Sequence, residues 1–247
     1  GIRFTQNSRS NRVVGNIVYS NSGGGISFDS AAGSVNANRL VRNVIYRNGS
    51  KGIEVLEGTN NVFANNVVFG HTFRGVATAS PALSNDFANN IVFSNGSVGI
   101  TNAAFGTRWR NNDVFGHSTA YRATTAFAVS NANISSDPLV SNAAAGNFRL
   151  RGPTPLSPAV DTGTTNGLST IDVAPVLGSA RDIGAYESPF AADLNTNDFF
   201  VDDGVNTGDL YTPTAIGVDA NDGKTPYTPK RTLTNLLAAY NLDPGDV

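Results

Sequence analysis

One lysine and three carboxylates between positions 29 and 57 are the residues whose types and spacing could support catalysis. Lys51 is close to Glu54 and Glu57 along the chain, and Asp29 precedes them by about one sequence repeat. A lysine can remove a proton from a substrate, and carboxylates can bind calcium or neutralise charge. We therefore take these four residues as the candidate catalytic set. The competing interpretation places them at solvated turns and on the outward face of a strand.

Aspartates near the C-terminus form a second set of candidate ligands, because calcium prefers hard oxygen donors. Asp219 and Asn221 have the spacing that opens an EF-hand loop, but a glycine comes one position early and Lys230 stands where the pattern needs glutamate. The competing interpretation is that these carboxylates close Asx-type turns. No cofactor is predicted, and calcium is the one ion that the composition would suit. The candidate calcium ligands are Asp202, Asp203, Asp209, Asp219 and Asp222.

A repeated sequence motif in the first half of the chain determines where such residues can lie. The pattern Asn-(Ile/Val)-(Val/Ile)-(Tyr/Phe) occurs four times, and a fifth copy carries Asp113 in its second position. A Gly-Ile or Gly-Val pair and an apolar residue three positions before each Asn recur in step with it. Short Val-, Ile- and Phe-rich runs separated by Asn and Gly are typical of strands. A repeat of this length then predicts a parallel β-solenoid with three strands in each coil.

Stacked coils place each residue on its equivalent in the next coil, about 4.8 Å away. The leading asparagines therefore predict a ladder of side-chain amides at a bend. His71 and His117 occupy the position that Asn21, Asn48 and Asn95 fill in other coils, so we expect them to replace asparagine rather than bind a metal. The predicted ladder consists of Asn16, Asn43, Asn66, Asn90 and Asn112.

The repeated strand also predicts an apolar strip on the outside of the solenoid. Side chains alternate along a strand, and the middle position of the copy is Val or Ile in every coil. We expect that column to point inward and the flanking aliphatic and aromatic columns to point outward. A partner should cover them, either a neighbouring solenoid or residues 190 to 230; the reversed assignment of the two faces stays open. The predicted interface residues are Tyr19, Tyr46, Phe69, Phe93 and Phe115.

The pattern Asn-x-(Val/Ile)-x-x-Asn-Gly-x-x-Gly-Ile, as in Asn43 to Ile53 and Asn90 to Ile100, resembles a known family. It is similar to the right-handed parallel β-helix repeat of secreted bacterial proteins and polysaccharide lyases. The resemblance covers roughly residues 1 to 130 and implies an all-β, pectate-lyase-like solenoid. It implies no single activity, because this scaffold carries lyases, hydrolases, epimerases, adhesins and inert spacers.

The remaining sequence predicts a terminal cap and then the start of another module. Residues 1–130 are expected to form the coils, with the chain starting inside a coil. Residues 131–189 resemble the closing segment of bacterial β-helix domains and should provide the last coil and C-terminal cap. Residues 190–247 should be a linker and the N-terminal capping segment of a following module. Its short α-helix is predicted from an N-cap at Thr228, Pro229, and an apolar face of Leu233, Leu236, Leu237 and Tyr240.

Composition narrows the function classes. The net charge is −2 with 15% charged residues, which does not favour nucleic acid as a partner. No apolar run is long enough for membrane insertion, and the absence of Cys excludes disulfides and thiolate chemistry. The sequence favours a non-catalytic structural or adhesive segment of a repetitive, filament-forming protein, extracellular or at the cell surface, whose partners are neighbouring copies or modules. The alternatives are a polysaccharide lyase or related carbohydrate-active domain with its active coils missing, and a carbohydrate-binding module with polysaccharide as partner.

Overall fold

The computed structural model describes residues 1–29, 35–152, 155–166, 168, 180–188, 199–205, 212 and 215–239. The chain divides into two compact units, Gly1–Ala192 and Asp193–Val247. The first unit is a parallel β-solenoid, as predicted, and the second contains the short helix α1 (Leu233–Ala239). No helix within these ranges is both long enough and apolar enough to cross a membrane.

The described part of the first unit contains five coils of three strands and two strands of a sixth coil. In coils 1, 3, 4 and 5 the second and third strands are each followed by Asn, Gly or Ser at a bend. In chain order the strands are β1 (Ile2–Phe4), β2 (Arg12–Val14) and β3 (Ile17–Tyr19) in coil 1; β4 (Ile26–Phe28), β5 (Arg39–Val41) and β6 (Val44–Tyr46) in coil 2; β7 (Ile53–Val55), β8 (Val62–Ala64) and β9 (Val67–Phe69) in coil 3; β10 (Arg74–Thr78), β11 (Asp86–Ala88) and β12 (Ile91–Phe93) in coil 4; β13 (Val98–Asn102), β14 (Arg108–Arg110) and β15 (Asp113–Phe115) in coil 5; and β16 (Thr119–Ala123) and β17 (Val129–Asn131) in coil 6.

Three parallel sheets run along the solenoid, one for each strand position of the coil. Sheet 1 has the order β1-β4-β7-β10-β13-β16, sheet 2 the order β2-β5-β8-β11-β14-β17, and sheet 3 the order β3-β6-β9-β12-β15. The register joins equivalent repeat positions, so that Val18 pairs with Ile45 and Ile45 with Val68. The periodicity of the sequence is thus the periodicity of the stacked strands.

Sharp bends separate the sheets, and each depends on a residue in the left-handed backbone conformation. Between sheets 2 and 3 this residue comes directly before the leading asparagine of the copy. Asparagine and glycine adopt positive φ at the lowest cost, which explains why they dominate the bends. The residues at this bend are Gly15, Arg42, Asn65, Asn89 and Asn111, with φ between 49° and 68°.

The interior of the solenoid is an apolar core that runs through all the coils. The middle residues of sheet 3 point into it, which is the orientation predicted for the uniform column. Close packing at the corner beside sheet 1 requires glycine: a Cβ on Gly52 would lie 2.3 Å from Cγ1 of Val68. The core includes Val18, Ile45, Val68, Val92 and Val114 from sheet 3, and Leu40, Phe63, Phe87 and Trp109 from sheet 2.

The segment that follows the coils packs along the solenoid. Its described residues from Val140 to Ser188 form what we call the cover segment. It begins with an antiparallel pair, β18 (Val140–Asn142) and β19 (Asn147–Leu150), joined through a 3₁₀ turn at Ala143–Ala145. The sequence predicted a cap for this region, whereas these residues build a second apolar core on the outer face of sheet 3. They do so because that face is itself apolar.

The second unit has its helix in the predicted region but with a different start. Thr232 is the N-cap, since its Oγ1 accepts a hydrogen bond from the Asn235 N–H at 3.2 Å. Thr228, the predicted cap, instead donates its hydroxyl to Asp222 Oδ1 at 2.6 Å and stabilises a turn. Of the predicted apolar face, Leu236 is buried, but Leu233 and Leu237 are exposed. Tyr240 lies outside the described residues.

Candidate functional site

Two of the four candidate catalytic residues are in contact. Lys51 and Glu54 form an ion pair at the corner that leads into sheet 1, and both side chains are less than one quarter exposed. Asp29 pairs instead with Arg3 of coil 1. Glu57 lies half-buried in the turn after β7. The contacts therefore divide the cluster into separate ion pairs and do not gather it around one point.

The leading asparagines form a continuous buried ladder, as predicted. In each step the backbone N–H of one asparagine donates to Oδ1 of the next, over 2.8–3.0 Å. The side-chain Nδ2 donates to the same Oδ1 and, within the stack, to a strand carbonyl of the coil before. The ladder thereby satisfies backbone groups that the bend withdraws from the sheets. It runs through Asn16, Asn43, Asn66, Asn90, Asn112 and Asn133.

Two further ladders stand at the other bends. One of them, which links Asn11, Asn38, Asn61 and Asn85, was missed from the sequence. A signal for it exists, because each of these residues lies five positions before a leading asparagine. The members of the third ladder lie five positions after a leading asparagine. That ladder contains Asn21, Asn48, His71, Asn95 and His117.

Both histidines act as ladder members. His71 Nδ1 accepts the Asn48 N–H at 3.1 Å, and its Nε2 lies 3.1 Å from the carbonyl of Ile45. His117 Nε2 accepts the Asn95 N–H at 3.2 Å. Burial lowers the pKa of each imidazole to about 4, since the charged form is poorly solvated there. The neutral rings therefore replace asparagine amides in the stack.

Asp86 and Arg110 in neighbouring coils form a buried ion pair, which no motif in the sequence predicted. On sheet 2 Asp86 lies opposite Arg108, and Arg110 lies opposite Ala88, yet two hydrogen bonds of 3.1 and 2.7 Å join Asp86 to Arg110. Arg110 also donates to the carbonyl of Asn166 in the cover segment. Such a bidentate pair is geometrically specific and orients the guanidinium toward that carbonyl. It therefore fixes the cover segment to sheet 2.

The asparagines at the bend between sheets 2 and 3 attach the cover segment as well. Asn65 Nδ2 donates to the carbonyls of Asp182 and Gly184 at 3.0 and 3.1 Å. Asn89 donates to the carbonyl of Thr164 and accepts its N–H, at 2.8 and 2.9 Å. Coils 1 and 2 have Gly15 and Arg42 at this bend position.

Burial raises the pKa of two aspartates, one in the cover segment and one in sheet 3. Asp113 is fully buried, with Oδ1 accepting the Ser136 N–H, and desolvation raises its pKa to about 7. Asp182 accepts the Asp161 N–H at 2.9 Å, and desolvation raises its pKa to about 8. The negative charges of Glu187 and Asp161 act in the same direction on Asp182. These groups lie in structural contacts with backbone N–H groups.

The predicted interface strip faces outward, but the chain itself covers most of it. Phe148 of the cover segment packs on Tyr46, Phe69 and Phe93, with ring centroids 5.2, 5.4 and 6.2 Å apart. The prediction that a neighbouring solenoid or residues 190 to 230 cover these rings is corrected by this contact. The covering residues lie in the segment that follows the coils in sequence. Phe115 also packs in this core, whereas Tyr19 in coil 1 is 55% exposed.

The described aspartates among those proposed for calcium accept hydrogen bonds from backbone N–H and hydroxyl groups of the second unit. Asp202 Oδ1 accepts the Asp203 N–H, and Asp203 Oδ1 accepts the Val205 N–H, both at 2.7 Å. Asp219 Oδ1 accepts the Thr232 N–H at 3.2 Å. Asp222 bonds to Thr228 as described above, and Asp209 lies outside the described residues. Among the residues that the structure describes, no three His, Asp or Glu side chains are grouped closely enough to hold a metal ion.

Comparison with known proteins identifies the repeat and two structural neighbours. The family model described as "right handed beta helix region" matches residues 1–142. The periplasmic alginate epimerase AlgG resembles the chain with 15% identity and a TM-score of 0.45, over 51% of this chain and 36% of the epimerase. The pectate lyase Pel9A resembles it with 16% identity and a TM-score of 0.39, over 76% of this chain and 70% of the lyase. This chain thus spans about a third of the epimerase. No curated protein sequence matches.

Proposed function

We propose that this chain, which belongs to the right-handed β-helix family, is a non-catalytic structural or adhesive segment of an extracellular, filament-forming surface protein. The observation that carries this proposal is the use of polar side chains in the coils. Three ladders contain 15 asparagine or histidine side chains of the coils, among them both histidines, and their members bond along the solenoid axis. Polar groups that are bound in this way stabilise the solenoid as a spacer along which exposed residues are displayed.

The ion pairs on sheet 1 support the same proposal. Lys51 bonds to Glu54, and Asp29 bonds to Arg3, so that three of the four charged candidates are held in two ion pairs. A lyase base needs a position within hydrogen-bonding reach of the proton it removes. The two separate pairs leave no shared point where a base and several carboxylates converge. The geometry therefore favours two separate ion pairs over a catalytic cluster.

Carbohydrate binding without catalysis is the second candidate function, and one exposed aromatic residue favours it. Phe73 lies at the turn before sheet 1 and is 48% exposed. Arg74 stands over its ring, 4.7 Å from the centroid. Exposed apolar rings beside donors such as guanidinium are suited to sugar faces and hydroxyls.

An assay of uronate cleavage tests the proposal. The protein should give no unsaturated product from pectate or alginate, with calcium or with chelator. Absorbance of unsaturated product that rises with protein and disappears in Lys51→Ala would overturn the non-catalytic function. Retention on a polysaccharide column tests the second candidate function. Phe73→Ala should weaken this retention if the protein binds carbohydrate, and should leave it unchanged otherwise.

A further inference from the structure

Asp113 interrupts an aliphatic column on the outer face of sheet 3. It lies in register with Ile91 of coil 4, and it forms a β-bridge with Ile134 in the chain that follows β17. Both isoleucines pack in the second apolar core, which the cover segment completes. Asp113 is itself fully buried. A carboxyl group therefore occupies a position where coils 1 to 4 have Val or Ile.

The hydrogen bonding of this carboxyl group is incomplete. Oδ1 accepts the Ser136 N–H at 3.1 Å, whereas the buried Oδ2 has no hydrogen-bond partner among the described residues. No described Lys, Arg or His side chain forms an ion pair with Asp113. A carboxylate in this position has lost its hydration and gained no cation, so burial favours the neutral acid over the charged form.

The ionisable groups near Asp113 do not stabilise its negative charge. Asp137, in the chain that leads to the cover segment, has a charge of the same sign. Tyr121 of β16 is a neutral phenol whose pKa burial raises to about 12. In the cover segment, four ionisable side chains form hydrogen bonds or ion pairs within the segment itself; these are Asp161, Arg181, Asp182 and Glu187.

Opening of the cover segment is the route by which water can reach Asp113 with the least loss of structure. The two apolar cores lie on opposite faces of sheet 3 and share no residue. The cover segment is attached beside Asp113 by the hydrogen bond from Asn111 Nδ2 to the Thr162 carbonyl, at 3.0 Å. Release of contacts of this kind hydrates the carboxyl group and leaves the strand pairing and the interior core of the coils intact.

We infer that ionisation of Asp113 opens the cover segment while the coils stay folded, so that the segment is a pH-sensitive cover over the aromatic rings of sheet 3. Burial raises the pKa of Asp113 from 3.8 to about 7 in the closed form. The stability that this group gives to the closed form is therefore fully present below pH 3.8 and is lost as the pH rises through about 7. The rings that the open form exposes are Tyr46, Phe69, Phe93 and Phe115.

Hydrogen exchange of the full chain between pH 4 and pH 8 tests this inference. The Gly184 N–H reports opening of the cover segment, because it bonds to Asn89 O at 2.8 Å. Its protection factor, corrected for the intrinsic exchange rate at each pH, should decrease in the wild type as the pH rises. The Val67 N–H, which bonds to Asn43 O at 2.9 Å within the coils, should keep its protection.

Asp113→Asn isolates the contribution of this carboxyl group. The ratio of Gly184 protection in the variant to that in the wild type should increase by up to about tenfold per pH unit between pH 4 and 7, and level off above pH 7, because one proton is linked to opening. Other groups, Asp182 among them, titrate in both proteins and cancel in the ratio. Asp113→Val, which restores the aliphatic residue type of coils 2 and 3, should give the same dependence on pH.

The matched control is Asp29→Asn, because Asp29 is paired with Arg3 and lies after a strand of sheet 1. Its ratio to the wild type should stay constant with pH. A ratio for Asp113→Asn that does not change with pH would overturn the inference. Loss of Val67 protection in parallel with that of Gly184 would also overturn it, since the coils would then unfold with the cover segment. The non-catalytic function is independent of these outcomes, because the uronate assay tests it separately.

Discussion

The asparagine ladder converts one residue type into a set of hydrogen bonds that no apolar residue can replace. Asn66 shows this most clearly, because it lies fully buried in the middle of the stack. Its Oδ1 accepts from the backbone and the side chain of Asn43, and its Nδ2 donates to Leu40 O and Asn90 Oδ1, all at 2.9–3.0 Å. Loss of the side chain leaves partners in two coils unsatisfied.

Replacement of Asn66 by Leu should therefore destabilise the protein. Each buried polar group that loses its partner costs about 1–3 kcal/mol. The Asn43 N–H and the Leu40 carbonyl both lose theirs, so we expect the unfolding free energy to decrease by about 2–6 kcal/mol. Chemical denaturation measures it. Asn16→Leu is the matched control, since Asn16 is exposed at the end of the ladder, and it should cost much less. Equal losses in the two variants would contradict the buried-ladder explanation.

Asp113 should make the protein less stable as the pH rises from about 4 to about 8. Its pKa rises from 3.8 in the unfolded chain to about 7 in the fold because burial disfavours the charge. Its stability contribution is fully present below pH 3.8 and is lost as the pH rises through about 7. The variant Asp113→Asn keeps an oxygen that can accept the Ser136 N–H but carries no charge. At pH 8 it should be more stable than the wild type by a few kcal/mol, because each unit of pKa shift corresponds to about 1.4 kcal/mol.

Denaturation of wild type and Asp113→Asn at pH 4 and pH 8 measures this difference. At pH 4 the two proteins should unfold nearly alike, and the gap should open toward pH 8. Asp29→Asn, at a half-buried position where the carboxylate pairs with Arg3, is the control and should show no such gap. A constant difference between wild type and Asp113→Asn across this range would contradict a raised pKa at Asp113.

At the scale of elements, the cover segment and sheet 3 share one apolar core outside the solenoid. Phe148 is its central ring, buried against aromatic rings of coils 2 to 4. Gly184 brings the segment close to the sheet, since a Cβ there would lie 2.7 Å from Cδ1 of Ile91. The interior core and its ladders have no residue in common with this second core. The cover should therefore open without unfolding of the coils.

Phe148→Ala should release the cover segment and preserve the solenoid. Truncation of a buried phenylalanine costs about 3–5 kcal/mol, and the loss should fall on the cover. Hydrogen exchange should accelerate at the Gly184 N–H, which bonds to Asn89 O at 2.8 Å, while coil amides stay protected. Phe105→Ala is the control, because Phe105 is 72% exposed. Equal loss of protection in cover and coils would show that they unfold as one unit.

At the scale of the whole molecule, the solenoid extends by adding equivalent coils, and its contacts join each coil to its neighbours. Stability of such a fold is a sum of local terms from coil to coil. The sheet edges and apolar strips that extend along it need cover wherever they are not paired. Here the cover segment meets that need over coils 2 to 5, and coil 1 retains Ile17 and Tyr19 at its surface.

The sequence by itself determined the features that repeat. Copies of one pattern predicted the coils, the register, the inward column and the leading ladder, because stacking places equivalent residues on each other. The ladder that starts at Asn11 was equally periodic and could have been predicted from its fixed interval to the leading asparagine. The helix start was missed because Thr228 and Thr232 have the same local capping chemistry, and tertiary contacts chose between them.

Only the tertiary structure decided which contacts form between parts of the chain that do not repeat. Phe148, Asn166 and Gly184 follow no period, so nothing in their spacing indicates that they meet coils 2 to 5. The exposed strip could be predicted, whereas the segment that covers it could not. The physical reason is that apolar burial is non-directional: it requires that the strip be covered, and the path of the chain determines which residues cover it.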